Sequence, residues 1–117
     1  MTAFGPYIRE VRERRESREP GFSLRQVAYR CELEPAYLSK IERGLVSPPS
    51  EDKIVKLAGE LEEDKDVMLA LAGKVSSDLM ETIRSRPKLF AQILRDLKDA
   101  PEHAILRVVR EVKDGEW

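Results

Sequence analysis

The residues of this chain that could do bond-making chemistry are few in type. One histidine, His103, and one cysteine, Cys31, stand among 22 acidic and 21 basic residues. A zinc site needs several His, Cys or carboxylate ligands at close spacing, and no HExxH, CxxC or CxxxxH pattern occurs. A Walker-type phosphate loop and a GxSxG nucleophile motif are also missing. Because the carboxylates are interleaved with basic residues, we expect solvated helix faces, no metal, no cofactor and no enzymatic activity.

A second set of polar side chains could bind a polyanion. Tyr37, Ser39 and Lys40 follow Pro35 in a segment typical of a short helix with Pro at its first position. Hydroxyl and ammonium groups at an exposed helix end suit the reading of base edges in a DNA major groove. Residues 1–48 hold nine basic and seven acidic residues, whereas residues 49–117 hold twelve and fifteen. A small basic face fits this chemistry, while a pI near 5.9 argues against nonspecific coating of nucleic acid.

The elements that must position these side chains are predicted to be short helices. Ser23 and Gln26 form a capping-box pattern at the start of one helix, and Gly44 is a candidate left-handed cap at the end of the next. No segment shows the period-two alternation typical of a strand. The predicted helices cover about 6–17, 24–31, 35–44, 51–61, 64–72, 77–85, 87–98 and 101–113. The sequence therefore predicts an all-α fold, with a five-helix unit over 1–73 and a helical region over 74–117.

Two of these helices have the spacing of a helix-turn-helix. Ala28 is small at the point where the second of them would cross close to the first. The residues predicted to fill the space between the two are Val27, Cys31, Leu33, Leu38 and Ile41. This pattern leaves Pro35, Ala36, Tyr37, Ser39 and Lys40 largely exposed. We expect Cys31 to be an inert buried thiol and His103 to be a surface residue.

Residues 37–44, YLSKIERG, are followed by Pro49-Ser50 and by a Leu57-Ala58…Leu61 tail. This combination resembles the signature of the Xre (lambda repressor and Cro-like) helix-turn-helix family, over about residues 6–72. The resemblance implies a five-helix, lambda-repressor-like DNA-binding domain. It also implies that Arg12, in the first helix, pairs with Glu42.

The same resemblance implies roles for individual positions. Base- and backbone-reading positions of the recognition helix fall on Pro35, Ala36, Tyr37 and Lys40. Phosphate-holding positions fall on the backbone at Arg25 and Gln26 and on the loop from Arg43 to Ser47. Two features depart from the family pattern: Leu24 replaces a common Gln, and the charged stretch at 13–22 is several residues longer. That stretch either extends the phosphate contacts or is a solvated helix end, and we favour the second reading.

The three C-terminal helices carry apolar stripes too large for three short helices to bury alone. We expect these stripes to pair across a two-fold axis between two copies of the chain. The candidate interface residues are Leu89, Phe90, Ile93, Leu94, Ile105, Leu106 and Val109. The alternative is that these helices fold back on the first five and complete one core.

These observations predict a cytoplasmic transcriptional regulator, a repressor that binds double-stranded DNA as a homodimer at an inverted repeat. The apolar runs are too short to span a membrane, the N-terminal residues lack a secretory pattern, and a lone cysteine forms no intrachain disulfide. Two alternatives remain open. The protein could be antitoxin-like, with C-terminal helices that hold a toxin. It could also be a protein-interaction adaptor on a helix-turn-helix scaffold that no longer binds DNA, which the Leu24 departure favours.

Overall fold

A computed structural model describes residues 3–115, which form eight α-helices without any β-strand. The all-α fold predicted from the sequence is therefore confirmed. Trp117 lies outside the described residues. The helices are α1 (Phe4–Glu16), α2 (Leu24–Arg30), α3 (Pro35–Glu42), α4 (Glu51–Leu61), α5 (Lys65–Leu71), α6 (Ser77–Ser85), α7 (Pro87–Leu97) and α8 (Glu102–Asp114).

Local capping explains where the central helices begin and end. The predicted capping box at α2 is present, because Ser23 Oγ accepts from the Gln26 N–H and the Gln26 side chain accepts from the Ser23 N–H. Gly44 follows α3 with φ +72°, and its N–H donates to the Ile41 carbonyl oxygen. The next N–H, of Leu45, donates to the Lys40 carbonyl, which completes a Schellman motif. Both predicted helix ends are confirmed.

Two predicted helix starts were wrong. Helix α1 begins at Phe4 rather than Pro6, because the carbonyl of Ala3 already accepts the N–H of Tyr7. Pro6 thus lies within the first turn, where its missing N–H has no intrahelical partner to lose. The pattern Asp99-Ala100-Pro101-Glu102 predicts a capping box at the start of α8, but the helix begins after Pro101 without a side-chain cap, so this box does not form.

The chain divides into two compact units between Ser77 and Asp78. In the first unit, α1 packs on α3 and α4, α2 packs on the same two helices, and α4 packs on α5. The five side chains predicted to fill the helix-turn-helix interior are all buried, which confirms that prediction. The buried apolar residues are Phe4, Ile8, Val11, Val27, Ala28, Cys31, Leu33, Leu38, Ile41, Ile54, Leu57, Ala58, Leu61, Met68 and Leu69.

The apolar spacing of α5 predicts that Val67, Met68 and Leu71 point inward, and the structure agrees with this prediction only in part. Met68 and Leu69 are buried, whereas Val67 is half exposed and Leu71 is only partly buried. The Asp64 carboxylate caps α5 by accepting the N–H groups of Asp66 and Val67. This cap holds Val67 in the first turn on the outer side, so the buried face is rotated by about one residue from the predicted one.

The second unit consists of helices α6, α7 and α8. No described residue in these three helices is buried. Leu89, Leu94 and Val112 are each more than 60% exposed, and their neighbours on the apolar stripes of α7 and α8 are at best partly covered. Within this unit, therefore, the helices do not build a closed apolar core. None of the helices over residues 3–115 is long and apolar enough to cross a membrane.

Gly5 marks the closest approach of α1 to α3. It is buried, and a Cβ added there would collide with the main-chain carbonyl oxygen of Ile41 and lie 3.1 Å from that of Glu42. Both atoms belong to the backbone at the end of α3, so neither can move aside as a flexible side chain could. The contact between these two helices therefore needs a residue without a side chain.

We predict that Gly5→Ala lowers the free energy of unfolding by about 2–3 kcal/mol, because the added methyl group must push two helix backbones apart. The matched control is Gly59→Ala in α4, where nothing lies within 4 Å of the added Cβ. That change should raise stability by about 0.5–1 kcal/mol through helix propensity alone. Urea denaturation followed by circular dichroism measures both values. Equal stabilisation by the two substitutions would contradict the close approach.

Candidate nucleic-acid interface

Helix α3 presents one face outward. Leu38 and Ile41 point into the core, while Ala36 and Lys40 are exposed and Tyr37 is 37% exposed. Pro35 occupies the first helical position after Glu34, whose backbone is extended. The side chains facing outward are thus a methyl group, a phenol and an ammonium within two turns. These groups can contact base edges and the phosphates beside them.

The turn that leads into α3 is held from α4. Glu32, between α2 and α3, has φ +57°, a left-handed conformation that is unusual for a residue with a side chain. Lys53 donates to the carbonyl oxygens of Cys31 and Glu32, at 3.3 and 3.2 Å. Lys56 donates to the Glu32 carboxylate at 2.6 Å, and this hydrogen bond holds the pKa of that carboxyl below its usual range. The start of α3 is therefore fixed by two lysines of another helix.

The end of α3 is fixed by a buried ion pair. Arg12 Nε lies 2.7 Å from one carboxylate oxygen of Glu42, and Nη2 lies 3.0 Å from the other. Both side chains are buried within the first unit. The hydrogen bond to Glu42 is the main cause that raises the pKa of Arg12. This two-pronged geometry leaves a single relative orientation for the two groups.

Arg12 makes further contacts that tie in the segment before α2. Its Nη1 donates to the carbonyl oxygen of Phe22 at 3.2 Å and lies 3.4 Å from the Glu16 carboxylate. The Phe22 ring also lies below the guanidinium groups of Arg15 and Arg30, at 5.4 and 5.2 Å. The long stretch at 13–22 is thus anchored at its end by cation–π and carbonyl contacts.

The other residues singled out from the sequence lie at three places. Arg25 and Gln26 are exposed in the first turn of α2, although one amide oxygen of Gln26 is used by the capping box. Ser47 is exposed in the loop after α3. Ser39 and Arg43 lie one turn apart, and the Arg43 Nε donates to the Ser39 carbonyl oxygen at 3.3 Å. Both residues line a small cavity.

Three contributions to this region were missed by the sequence reasoning. Gly5 allows the helix approach, Lys53 holds the turn, and Arg9 lines the same cavity as Ser39 and Arg43. For Arg9 a signal was available, since it lies one helical turn before Arg12 and so shares its face of α1. Lys53 carried no such signal, because a lysine on a helix gives the same sequence pattern whether it points to solvent or contacts another element.

The two residues with reactive side chains take no part in this region. Cys31 is buried, and burial raises the pKa of its thiol to about 11, so the reactive thiolate is scarce at neutral pH. His103 is an exposed residue of α8. Across residues 3–115 no group of three or more His, Cys, Asp or Glu side chains could hold a metal ion.

Two short helices joined by a tight turn, the second with one exposed face, define a helix-turn-helix domain. A family model described as a helix-turn-helix domain matches residues 3–69. The chain belongs to this family, and its fold and signature are of the Xre type, the lambda-repressor-like class of DNA-binding regulators.

Two further comparisons were made with known proteins. Among solved structures, the chain is similar to a chain of a SinR protein/SinI protein complex, with a TM-score of 0.51 and 20% identity. The match covers 94% of each chain and, at this identity, shows a shared fold. No curated protein matches the sequence.

We predict that breaking the Arg12–Glu42 pair from one side costs about 3–5 kcal/mol of unfolding free energy, because it leaves a buried charge without its partner. Arg12→Met and Glu42→Gln are the single variants. The double variant should lose less than the sum of the two singles, and chemical denaturation of all four proteins gives the coupling energy. Simple additivity would show that the pair does not hold the two helices. Arg14→Met, whose partner Glu10 is exposed, is the control and should cost at most about 1 kcal/mol.

Proposed function

We propose that this protein is a sequence-specific transcriptional regulator, a repressor that binds an inverted-repeat operator as a homodimer in the cytoplasm. The observation that carries the proposal is the outward face of α3. This face exposes Ala36, Tyr37 and Lys40, while both ends of the helix are fixed by contacts from other helices. A helix held this rigidly can enter a major groove with little loss of conformational entropy.

The proposed mechanism is binding without catalysis. In this proposal Arg25 and Gln26, together with the loop from Arg43 to Ser47, fix the register on phosphates, and this contribution depends on salt. Tyr37 and Lys40 contact base edges and carry sequence preference. A bound dimer then excludes RNA polymerase or an activator from the same stretch of DNA.

The second unit supports the homodimer part of the proposal. Helices α6, α7 and α8 are 9, 11 and 13 residues long, lengths at which an isolated helix is marginal in water. The predicted interface residues on α7 and α8 are exposed, apart from Phe90, which is partly buried. A second copy of the same surface would cover these side chains, and an inverted repeat would then be read by two recognition helices at half-sites about 34 Å apart, one turn of DNA.

A second candidate function keeps DNA binding but gives the C-terminal helices a different protein partner, as in an antitoxin. The structure similar in fold contains a complex of two named proteins, SinR and SinI, and the apolar stripes here would suit such a partner as well. Copurification of a second, unlike chain would favour this candidate. The adaptor alternative predicts no DNA affinity and therefore no dependence of binding on salt.

We predict that Tyr37→Ala and Lys40→Ala each weaken binding to the preferred DNA site by about 1–3 kcal/mol while the melting temperature stays nearly unchanged. The site is first selected from a random DNA library, and binding is followed by fluorescence anisotropy. Lys65→Ala, an equal loss of charge in α5, serves as the control and should leave affinity near that of the wild type. If Tyr37→Ala lowers stability instead of affinity, Tyr37 is a packing residue and the assignment to base reading is wrong.

We predict a dimer at micromolar concentration in light scattering, with the apolar stripe of α7 at its interface. Leu94→Asp should shift the protein to the monomer mass, because an unpaired carboxylate at an apolar interface is costly to bury. Val67→Asp, at a half-exposed position of the first unit, should leave the mass unchanged. A monomeric wild-type chain, or a Leu94→Asp variant that remains dimeric, would contradict this interface.

A further inference from the structure

The linker between α5 and α6, residues 72–76, begins with a defined turn. Gly73 has φ +75° and donates its N–H to the carbonyl oxygen of Ala70 at 2.9 Å. The N–H of Lys74 donates to the carbonyl oxygen of Leu69, also at 2.9 Å. Two bonds of this kind are a common way for an α-helix to end. The first half of the linker is therefore fixed to the end of α5.

The end of the linker is held by a carboxylate of α4. Ser76 is only 3% exposed, so the chain is packed into the first unit immediately before α6 begins. The next residue, Ser77, donates its hydroxyl to Glu51, with Oγ 3.1 and 3.2 Å from the two carboxylate oxygens. The main-chain nitrogen of Ser77 also donates to this carboxylate, at 3.4 Å. One side chain thus holds two groups of the first residue of α6.

Glu51 is close in sequence to the loop proposed to contact phosphates. It is the first residue of α4, and residues 48–50 alone separate it from Ser47. In two of these three residues, Pro48 and Pro49, the ring fixes φ, and Pro49 is buried. A short, stiff segment therefore joins the phosphate loop to the side chain that holds the start of α6.

We infer that the Glu51–Ser77 contact sets the separation at which the proposed dimer reads its two half-sites. The inference rests on the proposed DNA-binding function and deepens it, because it assigns the spacing preference to a positioning contact outside the recognition helix. Both residues belong to the first unit, and the chain continues from Ser77 into the second. Because the contact fixes this exit point, two copies joined through their second units have little freedom to meet half-sites at another distance.

The test compares duplexes whose selected half-sites have the preferred spacer or one or two extra base pairs. Each extra base pair moves a half-site by about 3.4 Å and rotates it by about 35°. The full-length wild type should lose about tenfold or more in affinity, whereas Glu51→Ala and Ser77→Ala should lose about threefold or less, since their linkers are freer. Ser77→Thr keeps the hydroxyl and should retain the wild-type dependence. A duplex with a single half-site should bind all these proteins equally, because no base contact has changed.

Asp52→Ala is the matched control. Asp52 is the neighbouring acidic residue in the first turn of α4, so its loss removes the same charge from the same helix end. The linker residue Ser77 bonds to Glu51 instead, so Asp52→Ala should keep the wild-type dependence on spacing. If Glu51→Ala also keeps it, or if Asp52→Ala weakens it equally, the contact does not set the spacing although the protein binds DNA. A wild type that binds all spacings equally would overturn the inference in the same way.

Trypsin gives a second measurement that needs no DNA. Lys74 is exposed in the linker, and cleavage after it, identified by mass spectrometry, requires the linker to detach from the first unit. Glu51→Ala and Ser77→Ala should speed this cleavage about three- to tenfold, whereas Asp52→Ala should not. Equal rates in all four proteins would show that Glu51 does not hold the linker. If the wild type binds no duplex, the proposed function fails and the role in spacing fails with it, while the cleavage rates still decide whether the contact holds the linker.

Discussion

The interaction on which the first unit most depends is the buried pair between Arg12 and Glu42. A buried charge that loses its partner here is not compensated for the free energy of its desolvation. Because moving either helix would separate the two charges, the pair tolerates little displacement of α1 or α3. Its geometry fixes the end of α3 relative to α1, and the added bond from Arg12 to the Phe22 carbonyl fixes the segment before α2. Gly5 makes this possible, since it lets the α1 backbone come close to the end of α3.

The start of α3 is fixed by different means. There the chain turns at Glu32 in a left-handed conformation, and Lys53 and Lys56 of α4 bind its carbonyl and carboxylate groups. Helix α3 has only eight residues and could not hold its shape alone. Both ends of α3 and its inner face are fixed by other helices. Its outward side chains are therefore not needed for packing and are available for a ligand.

Local signals made much of this fold predictable from the sequence. Ser23 with Gln26 and Gly44 define helix ends through neighbouring residues, and the apolar spacing identifies the inner faces of the longer helices. Arg12 and Glu42 are 30 residues apart, and only the family resemblance linked them. Lys53 could not be assigned, because a basic residue on a helix gives the same pattern whether it faces solvent or another element, whereas Arg9 could have been placed on the face of α1 that carries Arg12. Short α5 was predicted with the wrong inner face, since two turns constrain the phase of a pattern too weakly.

The two units differ in how far they bury their apolar residues. The first unit buries most of its large apolar side chains around one core, with exceptions such as Tyr29 and Leu45, and much of its remaining surface is polar. The second leaves its large apolar side chains exposed or partly covered, and residues 78–117 carry eight basic and eight acidic residues, so this unit has no net charge with which to attract DNA. Covering those side chains with a second copy would link two reading helices. When two reading helices are linked, binding of the first raises the effective concentration of the second at its half-site, so the overall affinity rises. A short recognition helix with few base contacts needs this gain in affinity. One unit thus buries most of its apolar side chains and the other does not. This difference is a physical argument for a dimer that binds two DNA half-sites.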